Sequence, residues 1–149
     1  MPNRLVVTLL ALLMVTGMAT AKAEITVKGV WARATAPGLD RGAVYFELEN
    51  TGRRGDQLIG VSTPRAPRAE LHQTIEEGGN SRMVHTPEVR VPAEGEVVFE
   101  PGGRHVMLMG LTESLREGET FELTLELEHN GPVTLAVDVL PPTAMGADD

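Results

Sequence analysis

Hydrophobic and polar residues alternate along most of this 149-residue chain. The clearest run is "TFELTLELEH", residues 120–129, where Phe121, Leu123, Leu125 and Leu127 alternate with Thr and Glu. Residues two apart in an extended strand share a face, so this period predicts a strand with one buried side. "AVYFELEN" does the same, with Val44, Phe46 and Leu48 set against Tyr45, Glu47 and Glu49. Further strands are expected in "EITVKGVWARA", "QLIGVSTP", "AELHQTI", "RMVHTPEVRV", "GEVVFEP", "RHVMLMGL" and "PVTLAVDVL". Turn-rich stretches separate them: "TAPGLDRG", "TGRRGD", "EEGGNS", "PGG", "LREGE" and the Asn130-Gly131 pair. The hairpin loop in "EEGGNS" centres near residues 77 and 78. No stretch has a useful helical period, and no internal repeat or second domain is visible. About seven to nine short strands, with turns every 8 to 12 residues, imply an all-β fold: an antiparallel β-sandwich or a Greek-key barrel.

The N-terminus breaks this pattern. Residues 1–23 read "MPNRLVVTLLALLMVTGMATAKA": a basic Arg4, an apolar run of about 14 residues, then Ala21 and Ala23 in an A-x-A arrangement. That run is shorter than the roughly 20 residues a membrane-spanning helix needs. A signal peptide cleaved before Glu24 is expected, and no cysteine follows it to carry a lipid. The remaining domain should therefore be exported and soluble. It spans 24–140, followed by a flexible tail, 141–149, "PPTAMGADD".

Charge and cysteine usage narrow the function. Residues 1–23 hold two basic side chains and no acidic one, so 11 basic and 21 acidic residues remain, a net charge of −10. Such an acidic domain suits neither nucleic acid nor an anionic membrane; a cationic ligand or a basic partner patch suits it better. With no cysteine in the chain, thiolate metal sites, catalytic thiols and thiol redox chemistry are excluded. A blue-copper electron carrier is excluded with them, because its site requires a Cys ligand. No acid–base or nucleophile constellation suggests an enzyme.

Histidine and methionine are the remaining chemistry. Outside residues 1–23 the chain holds His72, His85, His105, His129, Met83, Met107, Met109 and Met145, and six of these eight fall between 72 and 109. In "RHVMLMGL", His105, Met107 and Met109 share one strand face, with His105 and Met107 about 6.5 to 7 Å apart at Cα. Pairing across the expected hairpin loop would set His72 opposite Met83. Thioether sulfur is soft and uncharged; it suits Cu(I) and serves hard cations badly. Methionine is also a common core filler, and alternation is a property of any half-buried strand. His85 and His129 read as surface residues, His85 as a spare ligand two positions from Met83. A β-sandwich interaction or adhesion module without a metal role explains the strands equally well.

The spacing goes further than the single residues. Ten residues separate His72 from Met83, twenty-one separate Met83 from His105, and one separates His105 from Met107. This H-x10-M-x21-H-x-M pattern resembles that of the periplasmic PCuAC-type copper chaperones. The segments "VWARATAPG", "GAVYFELENTG", "ELH", "VPAEGEVVFEPGGRHVMLMGL" and "LREGETFELTLELE" also resemble that family's framework, in order, over nearly all of residues 24–140. The resemblance implies a cupredoxin-like antiparallel β-sandwich with a Greek-key topology. It implies that His72, Met83, His105 and Met107 bind one Cu(I). It further implies delivery to the copper centre of a respiratory cytochrome oxidase, directly or through a Sco-type thiol protein. A monomer is expected. The tail, with one Met and no His, lacks the His- and Met-rich second site of some family members.

Overall fold

The computed structural model describes residues 24–149; the expected signal peptide, 1–23, lies outside the described residues. Ten strands account for the architecture, and there is no helix among the described residues, hence none long and apolar enough to cross a membrane. They are β1 (Ile25–Arg33), β2 (Arg41–Asn50), β3 (Asp56–Ser62), β4 (Arg68–Glu77) and β5 (Asn80–His85), then β6 (Val89–Val91), β7 (Gly95–Phe99), β8 (Arg104–Met109), β9 (Thr120–Leu127) and β10 (Gly131–Leu140). The count is one above the expected range because the stretch "RMVHTPEVRV", expected as one strand, is divided between β5 and β6.

The strands hydrogen-bond in the order β5-β4-β8-β7-β2-β1-β10-β9-β3-β6. β2 is shared, pairing with β8 through Arg41–Val44 and with β7 through Phe46–Asn50. Pairings are antiparallel except β1 with β10 and the short contact of β7 with β8. The sheet doubles back on itself, so that β3 and β4, distant in this order, come into contact. Inward residues of β2, β4, β7 and β8 then meet those of β3, β6, β9 and β10 in one core, including Phe46, Leu48, Leu71, Phe99, Val106, Leu123, Leu125 and Val137. The result is the expected all-β antiparallel sandwich.

Two features depart from simple alternation. The register of β1 against β2 shifts between Lys28 and Trp31, where Gly29 adopts φ +56°. Glycine tolerates this left-handed conformation, and the extra residue of the bulge inverts the phase of the strand. Beyond the bulge Ala32 enters the core while Trp31 turns to the outer face, its ring centre 4.7 Å from that of Tyr45. Ala144 completes this second apolar cluster. In the segment 141–149, expected as a flexible tail, Ala144 is buried while most of its neighbours are exposed. Arg33 Nε donates to the Ala144 carbonyl at 2.7 Å, and the Asp149 carboxylate accepts from the Met145 and Gly146 amides.

At the opposite end, buried Asp56 ties β3 to the β9–β10 turn. Its carboxylate accepts from the Gln57, His129 and Asn130 amides and from Asn130 Nδ2, at 2.8 to 3.1 Å. Burial alone would raise its pKa; these donors outweigh burial and hold it below the usual carboxyl value. Asp56 thus stabilises the fold above the normal carboxyl range, and this contribution is lost as pH falls through the lowered value. Asp56→Ala is expected to cost about 1–3 kcal/mol at pH 7, because buried donors lose their acceptor. The gap in melting temperature to wild type should narrow in acid; a gap that is absent at pH 7 or widens in acid would contradict this role.

Candidate metal centre

Three adjacent strands build the site. β4 lies between β5 and β8, with Leu71 opposite Val106 on the core side. Strand alternation therefore puts Glu70, His72 and Thr74 on the other face, together with His105 and Met107 of β8 and Met83 and His85 of β5. His72 is in register with His105, and Glu70 with Met107.

On the β5 side the register differs from the expected one. The hairpin turns on Gly78 and Gly79 alone, at φ +57° and +83°, so that Glu77 pairs with Asn80. A two-residue turn with both central residues left-handed matches the twist of the flanking strands and strongly favours Gly-Gly. The centre of the loop lies one residue later than expected, which moves every cross-strand partner by two. His72 therefore faces His85, and Met83 faces Thr74. A shift of two preserves the face, so Met83 remains a diagonal neighbour of His72. Met107 is the diagonal neighbour on the opposite corner. Diagonal pairs lie about 7–8 Å apart, within reach of long side chains.

His72 is thus the centre of a cross: imidazoles on either side, thioethers at two corners. Its ring centre lies 5.8 Å from that of His105 and 5.6 Å from that of His85. Two imidazoles sharing one ion at roughly 2.0–2.1 Å have ring centres about 4.5 to 6.3 Å apart, so both spacings are those of ligand pairs. Exposure is graded across the row. His105 is 4% exposed, His72 is partly buried, and His85 is exposed; Met83 is 59% exposed.

Hydrogen bonds fix which nitrogen of each ring is free. His72 Nε2 lies 2.9 Å from Glu70 Oε2, and His105 Nδ1 lies 3.2 Å from the Gly103 carbonyl. An ionised carboxylate and a carbonyl can only accept, so each of these nitrogens carries the proton of the neutral ring. The hydrogen bond from His72, seconded by Arg68, lowers the Glu70 pKa to about 2, so this carboxylate is ionised at neutral pH. Burial lowers the pKa of His105 against the opposing effect of the Gly103 carbonyl, which keeps that ring neutral at pH 7.

The opposite nitrogens, His72 Nδ1 and His105 Nε2, are buried and have no hydrogen-bond partner. They are the side-chain nitrogens and oxygens so placed among the described residues. Leaving two lone pairs in this state is costly unless something else occupies them. Metal-binding histidines show this arrangement: one nitrogen held by a carboxylate or carbonyl, the other free for the ion. Among the described residues no three His, Asp or Glu side chains surround a common ion position. Two imidazoles completed by thioethers are what the face offers.

The remaining residues divide simply. Met109 shares the face but lies opposite Arg68, one pair beyond Met107. His129 lies in the β9–β10 turn against Arg54. Glu70 was not singled out in the sequence, although "ELH" places a carboxylate two positions from His72, hence on the same strand face.

The model of the family described as "Putative lipoprotein LpqE-like" matches residues 25–139. The chain belongs to the LpqE-like family. A putative lipoprotein of Leifsonia xyli subsp. xyli, Lxx21020, is 29% identical over 116 residues, covering 77% of this chain and 69% of that relative. Solved structures similar to this LpqE-like protein include PCuAC domains. The apo PCuAC domain of PmoF2 superposes with a TM-score of 0.70 at 28% identity, covering 85% of this chain and 98% of that domain. Its copper-bound form gives 0.69 at the same identity, covering 83% and 97%. The Cu(I) form of DR1885 from Deinococcus radiodurans gives 0.62 at 30% identity, covering 85% of this chain and 83% of that one.

The hydrogen bonds predict tautomers that NMR can read. Long-range ¹H–¹⁵N spectra at neutral pH should show His72 as the Nε2–H form and His105 as the Nδ1–H form. Glu70→Ala should return His72 to a tautomer mixture and leave His105 unchanged. A His72 already mixed in the wild type would refute the orienting role of Glu70.

Proposed function

We propose that this protein is an exported copper chaperone that binds one Cu(I) through His72, Met83, His105 and Met107. The observation that carries this reading is the pair of buried, unpartnered imidazole nitrogens, His72 Nδ1 and His105 Nε2. Their rings stand at ligand spacing, and thioethers occupy the diagonals of His72. The copper-bound PmoF2 domain and the Cu(I) form of DR1885 support the choice of metal.

The ligand set explains carriage rather than catalysis. Four neutral donors leave Cu(I) with its single positive charge, which an acidic domain tolerates at modest benefit. Soft thioethers hold Cu(I), yet an acceptor with cysteine ligands outcompetes them. Met83 lies exposed on β5, an edge strand, so an incoming ligand can displace it while His105 and Met107 still hold the ion. Residues 1–23 act in this reading as a signal peptide that delivers a soluble domain to the periplasm. The recipient is the copper centre of a respiratory cytochrome oxidase, reached directly or through a Sco-type protein, with the chaperone acting as a monomer.

Anaerobic thermal unfolding tests the site. Cu(I) at about 100 times its dissociation constant should add roughly 2.7 kcal/mol to the folded state, a shift of several degrees. The Met83→Ala/Met107→Ala double variant should lose that shift and keep the apo melting temperature within a few degrees. A shift retained in full by the variant, or absent from wild type, would refute this ligand set.

A further inference from the structure

The two-glycine turn has a chemical consequence. It sets His85, rather than Met83, directly across from His72, with ring centres 5.6 Å apart. His72 therefore has an imidazole at ligand spacing on both sides, and its own Nδ1 is buried without a partner. Met83 and His85, two positions apart on the same face of β5, offer one ion a soft sulfur or a nitrogen from the same exposed edge strand.

These donors differ in the oxidation state they favour. Thioether sulfur favours Cu(I), whereas imidazole serves Cu(II) as well. We propose that His85 is a third imidazole ligand that allows this site to hold Cu(II), taking the place of Met83 when the ion that binds is Cu(II). The proposal rests on the reading that His72 and His105 hold copper. The three rings stand in a row rather than around a point, consistent with no ready three-ligand cluster among the described residues. Closure requires His85 to swing toward His72, and its exposure leaves room for that rotation. Glu70, hydrogen-bonded to His72, supplies an anionic second layer that suits the higher charge of Cu(II).

The test compares wild type with His85→Ala in two titrations. In air, one equivalent of copper(II) sulfate is followed by electron paramagnetic resonance and by competition with a chromophoric chelator. Without oxygen, Cu(I) is titrated against a Cu(I)-specific chelator. The expected result is a wild-type Cu(II) spectrum with nitrogen superhyperfine structure, which His85→Ala alters while weakening Cu(II) at least tenfold. Cu(I) affinity should change less than threefold. His85→Ala binding Cu(II) with the wild-type spectrum and affinity would overturn the proposal, as would an equal loss of both ions. A Cu(II) spectrum insensitive to His72→Ala would overturn it too, by placing the ion elsewhere. Failure of wild type to bind Cu(I) would be a separate result, directed at the chaperone reading itself.

Discussion

The pairing of β4 with β8 in a register that sets His72 against His105 is the constraint on which the rest depends. On the inner side of the same two strands, Leu71, Val106 and Leu108 are fully enclosed. Burying one such side chain contributes about 1.5–3 kcal/mol. A slip of β4 by one residue would turn Leu71 outward and His72 into the core. The core therefore holds two ligand-ready nitrogens in a place that hydrogen bonding alone would not favour. Glu70 and the Gly103 carbonyl then decide which nitrogen of each ring is left free.

From this fixed pair the site becomes progressively more open. His105 is enclosed, His72 is partly covered, and the β5 residues Met83 and His85 face solvent. A carrier needs both properties, since a wholly buried ion would be released slowly and a wholly exposed one would be lost to any competitor. In the proposed reading, donors on an edge hairpin separate the two demands. The sandwich supplies rigidity at β8, and the two-glycine turn supplies access at β5.

Much of this was legible in the sequence. Alternation in β2, β8 and β9 identified the inward residues correctly, and His105 and Met107 share a face because i and i+2 must. The less visible parts each depend on one local conformation. The bulge at Gly29 inverts the phase of β1, and nothing in "EITVKGVWARA" states where the extra residue falls. Gly78 and Gly79 were recognised as turn residues, but "EEGGNS" could have supplied a longer loop, and the register of His72 rests on that difference. The tail carries a composition typical of loose termini; its docking depends on a Trp31–Tyr45 surface that only the bulge exposes. Glu70 could have been found from its two-residue spacing to His72, whereas the Gly103 carbonyl belongs to the backbone and leaves no mark in the residue types.

The most direct measurement is X-ray absorption at the copper K-edge of the protein loaded anaerobically with one equivalent of Cu(I). The central claim predicts a mixed first shell: two nitrogens near about 2.0 Å and two sulfurs near about 2.3 Å. Without cysteine in the chain, that sulfur can come only from methionine. A first shell of nitrogen and oxygen with no sulfur would contradict it.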